Sequence, residues 1–233
     1  MPTIVITGAS QGLGAAIATA FAVVPEARLV LAARNATKLH AVAEQCHTLG
    51  AETLVQPCDV TDETAVAALA EAALDTFGVP EVLVNNAGVF LAAPFHETKL
   101  ADFRWQLDVN LVSAFLVTQT FLEPMRKKQR GTVFFIGSVA SLKGYPRGAA
   151  YAAAKHGVLG LARTLREETK ADGLRVTTVF PGATLTPSWD GFDGPPDRLM
   201  PPEDVAQALV DIYQLSDRSV VEEILLRPQL GDL

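Results

Sequence analysis

The chain has 233 residues and a net charge of −7, and 49% of its residues are hydrophobic while 19% are charged. This composition is typical of one globular domain with a buried core, and it excludes an intrinsically disordered chain. The acidic balance without a basic stripe excludes a nucleic-acid partner, and the lack of an apolar run of about 18 residues excludes a membrane span.

The cysteines and the first residues indicate the compartment. Cys46 and Cys58 have neither CxxC spacing nor a histidine partner at metal-ligand spacing, so we expect no disulfide and no metal. The chain enters a strand-like run at once, without the pattern of a signal peptide. We therefore expect a cytoplasmic protein.

Short apolar runs alternate along the chain with Ala-rich segments of helical period. The strand-like runs are apolar almost throughout, as in parallel strands that are covered on both faces. Repeated alternation implies βαβ units with right-handed crossovers, so we predict a single α/β domain over residues 1–233, a Rossmann-like, doubly wound parallel sheet of about seven strands flanked by helices. The predicted strands are 3–7, 28–33, 52–57, 81–84, 132–136, 175–180 and 223–227, and the predicted helices are 14–23, 36–49, 63–77, 100–128, 149–171 and 203–215.

A glycine-rich segment separates the first predicted strand from the first helix. Glycines at this place let the backbone turn tightly and approach a pyrophosphate, whose charge meets the amides of the helix N-terminus. The segment predicts a dinucleotide-phosphate site formed by Gly8, Ser10, Gln11, Gly12, Leu13 and Gly14.

The glycine spacing and five later segments resemble one family, the short-chain dehydrogenase/reductases. The TGxxxGxG motif of that family matches the glycine segment, and the similarity covers residues 3–186 in the family order. The other matching segments are Asn85-Asn86-Ala87-Gly88 (NNAG) after the fourth strand, Asn110 in the long helix, Ser138 after the fifth strand, Tyr151-Ala152-Ala153-Ala154-Lys155 (YxxxK), and Pro181-Gly182 after the sixth strand.

Four of these residues suit the reduction of a carbonyl, which needs a proton donor at the developing alkoxide. Tyr151 and Lys155 are four positions apart on a predicted helix, so they share a face, and a nearby cation lowers the pKa of a tyrosine. Tyr151 is thus the predicted general acid, and the general base in reverse. The resemblance implies that Lys155 also binds the nicotinamide ribose, that Ser138 holds the carbonyl oxygen, and that Asn110 supports a water leading to Lys155. Each residue alone also fits a structural role, whereas the set in family order favours catalysis.

The end of the second strand indicates which dinucleotide binds. NAD sites usually carry an acidic residue there, whereas Arg34 stands here and can pair with the 2′-phosphate of NADP. Ser10 adds a hydroxyl, but Gln11 stands where some NADP-binding relatives have a second basic residue. We predict a preference for NADP(H). The alternative is NAD(H), in which case Arg34 only ends the strand and faces solvent.

The remaining cofactor contacts follow from the resemblance. Asp59 and Val60 resemble the pair that contacts adenine, although Asp59 also fits a turn residue before the next helix. The other expected contacts are Asn86, Ala87, Gly88, Pro181, Gly182 and Thr184, together with Tyr151 and Lys155.

Residues 184–202 are rich in proline and glycine and follow the sixth strand, so they lie at the carboxyl end of the sheet, where open α/β folds bind ligands. Their large apolar side chains favour a substrate lid over an idle surface loop. The predicted substrate is a small to medium apolar ketone or aldehyde, while a 3-oxoacyl thioester or a sugar stays open. Lys143 and Arg147 are the candidates for holding a substrate phosphate or carboxylate. The predicted substrate contacts are Phe90, Val139, Leu142, Tyr145, Trp189 and Phe192.

Together these features predict an NADPH-preferring short-chain oxidoreductase that reversibly reduces a ketone or aldehyde to an alcohol. The alternatives are an NAD-dependent alcohol dehydrogenase of the same family and a non-catalytic dinucleotide-binding sensor. The intact set of four residues disfavours the sensor. The resemblance also implies a homodimer or homotetramer formed through the long helices after the fourth and fifth strands.

Overall fold

In the computed structural model, seven parallel strands form one sheet in the order β3-β2-β1-β4-β5-β6-β7. The structure describes residues 1–233 except for the side chain of Pro196. This architecture confirms the predicted fold class, a doubly wound parallel sheet. The strands are β1 (Thr3–Thr7), β2 (Arg28–Ala33), β3 (Glu52–Pro57), β4 (Val82–Asn85), β5 (Gly131–Ile136), β6 (Leu174–Pro181) and β7 (Glu223–Leu226).

Helices cover both faces of the sheet because successive side chains of each strand point to opposite faces. Ile4 and Ile6 of β1 belong to one buried cluster, whereas Val5 between them belongs to the other. The first cluster includes residues of α1, α2 and α7, and the second includes residues of α3, α5 and α6. The helices are α1 (Gly12–Ala22), α2 (Ala36–Thr48), α3 (Glu63–Phe77), α4 (Leu100–Leu107), α5 (Ser113–Lys128), α6 (Ala149–Thr169) and α7 (Pro202–Tyr213).

The predicted helix 100–128 is interrupted, which sequence periodicity did not reveal. A π-helical turn over Asp108–Val112 separates α4 from α5, and the N–H of Ser113 donates to the carbonyl of Asp108 five residues earlier. Within this turn the side-chain amide of Asn110 donates to the carbonyl of Gln106 at 2.8 Å. Such turns are rare and often lie at functional sites, and this one carries a predicted catalytic residue.

The chain order reverses between β1 and β4, since β2 lies on one side of β1 and β4 on the other. Ligands of open α/β sheets bind in the crevice at the carboxyl ends of such strands. The segment after β6 borders this crevice: the N–H of Leu185 donates to the carbonyl of Met200 at 2.8 Å, and the N–H of Met200 donates to Ala183 at 2.9 Å. Within the described part of the chain, each helix is too short or too polar to span a bilayer.

Candidate active site

A cleft of about 1070 Å³ opens at the carboxyl ends of the strands. Binding clefts for small molecules and cofactors commonly have volumes of this size. Every residue predicted to be catalytic or to bind the cofactor lies in its lining. They are Gly8, Ser10, Gln11, Gly12, Leu13, Gly14, Arg34, Asp59, Val60, Asn86, Ala87, Gly88, Asn110, Ser138, Tyr151, Lys155, Pro181, Gly182 and Thr184.

The glycine loop after β1 is locked against the loop after β4. The hydroxyl of Thr7 accepts hydrogen bonds from the N–H groups of Asn86 and Ala87 at 3.0 and 3.1 Å. The side-chain amide of Asn86 donates to the carbonyls of Thr7 and Gly8 at 2.9 and 3.3 Å. A Cβ on Gly14 would lie 2.2 Å from the Gly8 carbonyl oxygen, so only glycine permits this close packing of α1.

The predicted adenosine end of the cleft carries two cations. Arg34 lies in the lining, as does Lys38, a residue that sequence reasoning missed. The Lys38 ammonium donates to the amide oxygen of Gln11 at 2.5 Å, and the side chain of Asn35 caps α2 by accepting from the Lys38 N–H at 3.0 Å. The sequence signal for Lys38 was its place in the first turn of α2, four residues after Arg34.

Asp59 faces these cations at the same end of the cleft. Its Oδ1 accepts hydrogen bonds from the N–H and the hydroxyl of Thr61 at 3.0 and 2.8 Å. These two bonds, and secondarily the charge of Arg34, lower the pKa of Asp59. Asp59 is therefore a turn residue before α3, as one of its two predicted roles required. It also lies in the cleft lining, as its other predicted role, the contact with adenine, requires.

Tyr151 and Lys155 lie one turn apart on α6, beside Ser138 at the end of β5. Lys155 is 3% exposed, and its ammonium donates to the carbonyl of Ile136 at 2.7 Å and lies 5.5 Å from the centre of the Tyr151 ring. Burial lowers the pKa of Lys155 to about 8. Burial raises the pKa of Tyr151, and a hydrogen bond with Ser138 offsets part of that rise. The sequence predicts that the nearby cation of Lys155 lowers the pKa of Tyr151. The pKa is raised instead, because desolvation of the buried phenol is the largest effect.

Asn110 is 2% exposed and all of its side-chain donors are used. Its amide donates to the carbonyls of Val89 and Gln106 at 2.9 and 2.8 Å, and its Oδ1 accepts from the N–H of Val89 at 3.2 Å. A Cβ on Gly88 would lie 2.8 Å from Asn110 Oδ1 and 3.7 Å from Lys155 Nζ. Asn110 therefore fixes the chain after β4 next to Lys155, and its predicted support of a water stays a prediction.

The substrate end of the cleft is largely aromatic. The ring of Phe90 lies 5.2 Å from the ring of Tyr151 and 6.1 Å from that of Tyr145. Among the predicted substrate contacts, Phe90, Val139, Tyr145 and Trp189 line the cleft.

Leu142 and Phe192 are not part of the lining. The 3₁₀ turn Val139–Ser141 directs Leu142 outward, where it is 47% exposed. Phe192 packs edge-on against Trp189 with ring centres 5.5 Å apart, so it supports a lining residue. Other lining residues were not named as contacts from the sequence: Thr186, Pro187 and Ser188, which lie within the predicted lid segment 184–202, and Trp105 of α4, Val109 of the π turn, and Asp232 and Leu233 after β7.

Comparison with known proteins agrees with this geometry. The sequence model described as short chain dehydrogenase matches residues 2–193. A curated relative, sepiapterin reductase of Chlorobaculum tepidum, is 36% identical over 99% of this chain and 97% of its own length.

Solved structures show the same fold. An alcohol dehydrogenase from the archaeon Thermococcus sibiricus, complexed with 5-hydroxy-NADP, superposes with a TM-score of 0.92 at 30% identity, covering 98% of this chain and 97% of that one. A metagenomic short-chain oxidoreductase in complex with NADP gives a TM-score of 0.87 at 35% identity, covering 99% and 98%.

Proposed function

Because the chain belongs to the short-chain dehydrogenase/reductase family of oxidoreductases, we propose that it catalyses the NADPH-dependent reduction of an uncharged ketone or aldehyde to the alcohol. The observation that carries the proposal is the convergence of Ser138, Tyr151 and Lys155 on one cleft that also holds the glycine loop. The two parts of the cleft match the two reactants, a dinucleotide and a carbonyl compound.

The glycine loop suits the dinucleotide. Gly8 has a φ of 67°, and a Cβ there would lie 2.9 Å from the Cα of Ala87, so the loop is built for close approach to its neighbours. The backbone amides at the start of α1 offer a site for a pyrophosphate. When bound, NADPH supplies the hydride.

The chain's own residues then handle the proton and the carbonyl. Ser138 holds the carbonyl oxygen, and Tyr151 donates its phenolic proton to the alkoxide that develops there. Because burial raises the pKa of Tyr151, its phenol carries this proton at neutral pH and can donate it. Lys155 stands one turn away to bind the nicotinamide ribose.

The choice of NADPH over NADH rests on the charges at the adenosine end of the cleft. Arg34 and Lys38 give two positive charges, and the one acidic group beside them, Asp59, has an oxygen engaged by Thr61. A 2′-phosphate gains charge-assisted hydrogen bonds from such a pair, whereas a 2′-hydroxyl gains much less. The NADP complexes among the structural relatives agree with this choice. An NAD-dependent dehydrogenase remains the second candidate.

Assembly and location are further parts of the proposal. Val112 and Phe115, near the start of α5, are 41% and 44% exposed, which is large for apolar side chains on a helix surface. We expect this surface to pair in a homodimer or homotetramer in the cytoplasm, and sedimentation at micromolar concentration tests it, with a monomer as the contrary result.

The function is tested by following NADPH and, separately, NADH oxidation by the purified protein across a panel of uncharged ketones and aldehydes. Turnover with NADPH well above that with NADH, lost in Tyr151→Phe, supports the proposal. Faster turnover with NADH supports the dehydrogenase instead. Binding of both dinucleotides without turnover of any carbonyl supports the non-catalytic sensor.

A further inference from the structure

An ion-pair group stands at the substrate end of the cleft, where sequence reasoning expected mostly apolar residues. Lys143 and Asp232 both lie in the lining, and the Lys143 ammonium is paired with the Asp232 carboxylate. Arg227 binds the same carboxylate with two hydrogen-bonding groups: its Nε lies 2.9 Å from Oδ1 and its Nη2 lies 2.7 Å from Oδ2. One carboxylate thus holds two cations that come from different parts of the chain.

The fold brings these residues together from the ends of two strands. Lys143 follows the 3₁₀ turn after Ser138, and Arg227 directly follows β7. The chain then turns, with the N–H of Gly231 donating to the carbonyl of Pro228 at 2.8 Å, and this turn carries Asp232 back over the cleft. The Asp232 side chain is only 20% exposed, whereas Lys143 is 53% exposed.

The carboxyl group of Asp232 is ionised at neutral pH. Hydrogen bonds from Arg227 and Lys143 lower the pKa of its carboxyl group. Arg227 is not part of the cleft lining, so it anchors the carboxylate from outside, and Lys143 is the partner that faces the cleft. A bidentate arginine contact fixes the position of a carboxylate as well as its charge.

This arrangement affects which substrates fit. Among the side chains that the structure describes in the lining, the charged ones besides Lys155 are Arg34, Lys38 and Asp59 at the adenosine end and Lys143 with Asp232 at the substrate end. A substrate carboxylate would need Lys143 as its partner, but Asp232 already occupies that ammonium and repels a second anion. A neutral carbonyl compound meets no such barrier.

We infer that Asp232 is a specificity-determining residue, which occupies Lys143 and thereby restricts the enzyme to uncharged carbonyl substrates. The inference rests on the proposed reductase function and specifies its substrate class. Building repulsion against the wrong ligand is a common source of specificity. Freeing Lys143 should therefore admit oxo acids.

The test uses benzoylformate and its methyl ester, which share the reacting carbonyl and differ in charge. The ratio of kcat/KM for the acid to that for the ester is measured with NADPH in wild type, Asp232→Asn, Lys143→Gln and the double variant. Asp232→Asn should raise the ratio about tenfold, the effect of one charge-assisted hydrogen bond. The double variant should lose that gain, because no free ammonium remains.

A binding measurement separates this inference from the reductase proposal. Phenylacetate carries the carboxylate but no carbonyl to reduce, and calorimetry in the presence of NADPH gives its affinity without turnover. Asp232→Asn should bind it about tenfold more tightly than wild type. If Asp232→Asn binds phenylacetate more tightly than wild type but neither the ester nor the acid is reduced, the reductase proposal fails while the role of Asp232 stands.

The matched control is Glu123→Gln, which removes a carboxylate from the ion pair with Lys127 on α5, 3.3 Å apart and outside the cleft lining. It should leave the acid-to-ester ratio unchanged. Thermal melting and NADPH binding establish that each variant is folded, and Asp232→Ala replaces the Asn variant if that one is not. A ratio and a phenylacetate affinity equal to wild type in the folded Asp232 variant overturn the inference.

Discussion

The ammonium of Lys38 lies 2.5 Å from the amide oxygen of Gln11 and thereby joins the first turn of α2 to the glycine loop. The sequence lacks a basic residue at position 11, where some NADP-binding relatives have one, and the structure brings a cation to that place from another element. Lys38 and Arg34 together form the positive end of the cleft.

Replacing either cation should weaken the use of NADPH and leave the use of NADH almost unchanged. Arg34→Ala and Lys38→Ala should each lower kcat/KM for NADPH by about tenfold or more, since each removes a charge-assisted hydrogen bond to the 2′-phosphate. The value for NADH should change little. Lys127→Ala, which removes an exposed lysine of α5, is the control. An equal loss of kcat/KM with both dinucleotides would show that the two cations do not bind the 2′-phosphate.

Lys155 should make stability depend on pH. An unfolded lysine titrates near 10.5, while burial lowers the pKa of Lys155 to about 8, so the unfolded chain binds more protons between these values. The stability of the wild type therefore gains from this group as pH rises from 8 towards 10.5, and loses that gain as pH falls. The pKa difference corresponds to about 3 kcal/mol.

Urea denaturation of wild type and Lys155→Met at pH 7 and pH 10 measures this effect. The difference in unfolding free energy should shift in favour of the wild type by about 2 to 3 kcal/mol at the higher pH, because most of the titration lies between pH 7 and pH 10. Lys127→Met on the exposed face of α5 should show a much smaller shift. A constant difference between wild type and Lys155→Met would mean that the lysine is not desolvated as its burial implies.

Gly14 should tolerate no side chain. Its added Cβ would lie 2.2 Å from the Gly8 carbonyl oxygen and 2.6 Å from the Asn86 amide nitrogen, so the glycine loop would have to move. We expect Gly14→Ala to cost about 3 kcal/mol of stability and to abolish NADPH binding. Gly144→Ala is the control, since a Cβ there meets nothing within 4 Å. Urea denaturation and NADPH fluorescence measure both effects, and a Gly14→Ala protein that binds NADPH normally would refute the prediction.

Replacing Asn110 should lower the free energy of unfolding more than replacing Asn85, another buried asparagine. Asn110→Ala leaves the N–H and carbonyl of Val89 and the carbonyl of Gln106 without their partner, at an expected cost of about 3 kcal/mol. Asn85→Ala removes one hydrogen bond, the 2.9 Å contact to Thr118, and should cost about 1 kcal/mol. Equal losses in urea denaturation would mean that Asn110 does not hold the chain after β4.

The sheet and the main motifs could be predicted because each depends on local sequence. The strands are apolar runs, and each motif directly follows a strand, so the parallel sheet gathers the motifs at one edge. The glycine loop, the segment after β4 and Ser138 meet in the cleft for this reason.

The parts that sequence did not reveal depend on contacts between distant residues. The π turn is stabilised by contacts of Asn110 with Val89, on a different element. Lys38 reaches Gln11 only when α2 is packed beside the loop, and Asp232 reaches Lys143 only after β7 has joined the sheet. Leu142 stands close to Ser138 in sequence, yet a short 3₁₀ turn directs it away from the cleft.

The most direct test of the central claim uses NADPH that carries deuterium at both C4 positions of the nicotinamide, and follows the deuteride into the alcohol product of methyl benzoylformate by mass spectrometry. We expect one deuterium on the carbinol carbon with the wild type and none above background with Tyr151→Phe. Tyr213→Phe is the control, because its hydroxyl contacts Glu81 outside the cleft, at 3.2 Å. Product alcohol without the label, or equal labelling by Tyr151→Phe, would contradict hydride transfer assisted by Tyr151.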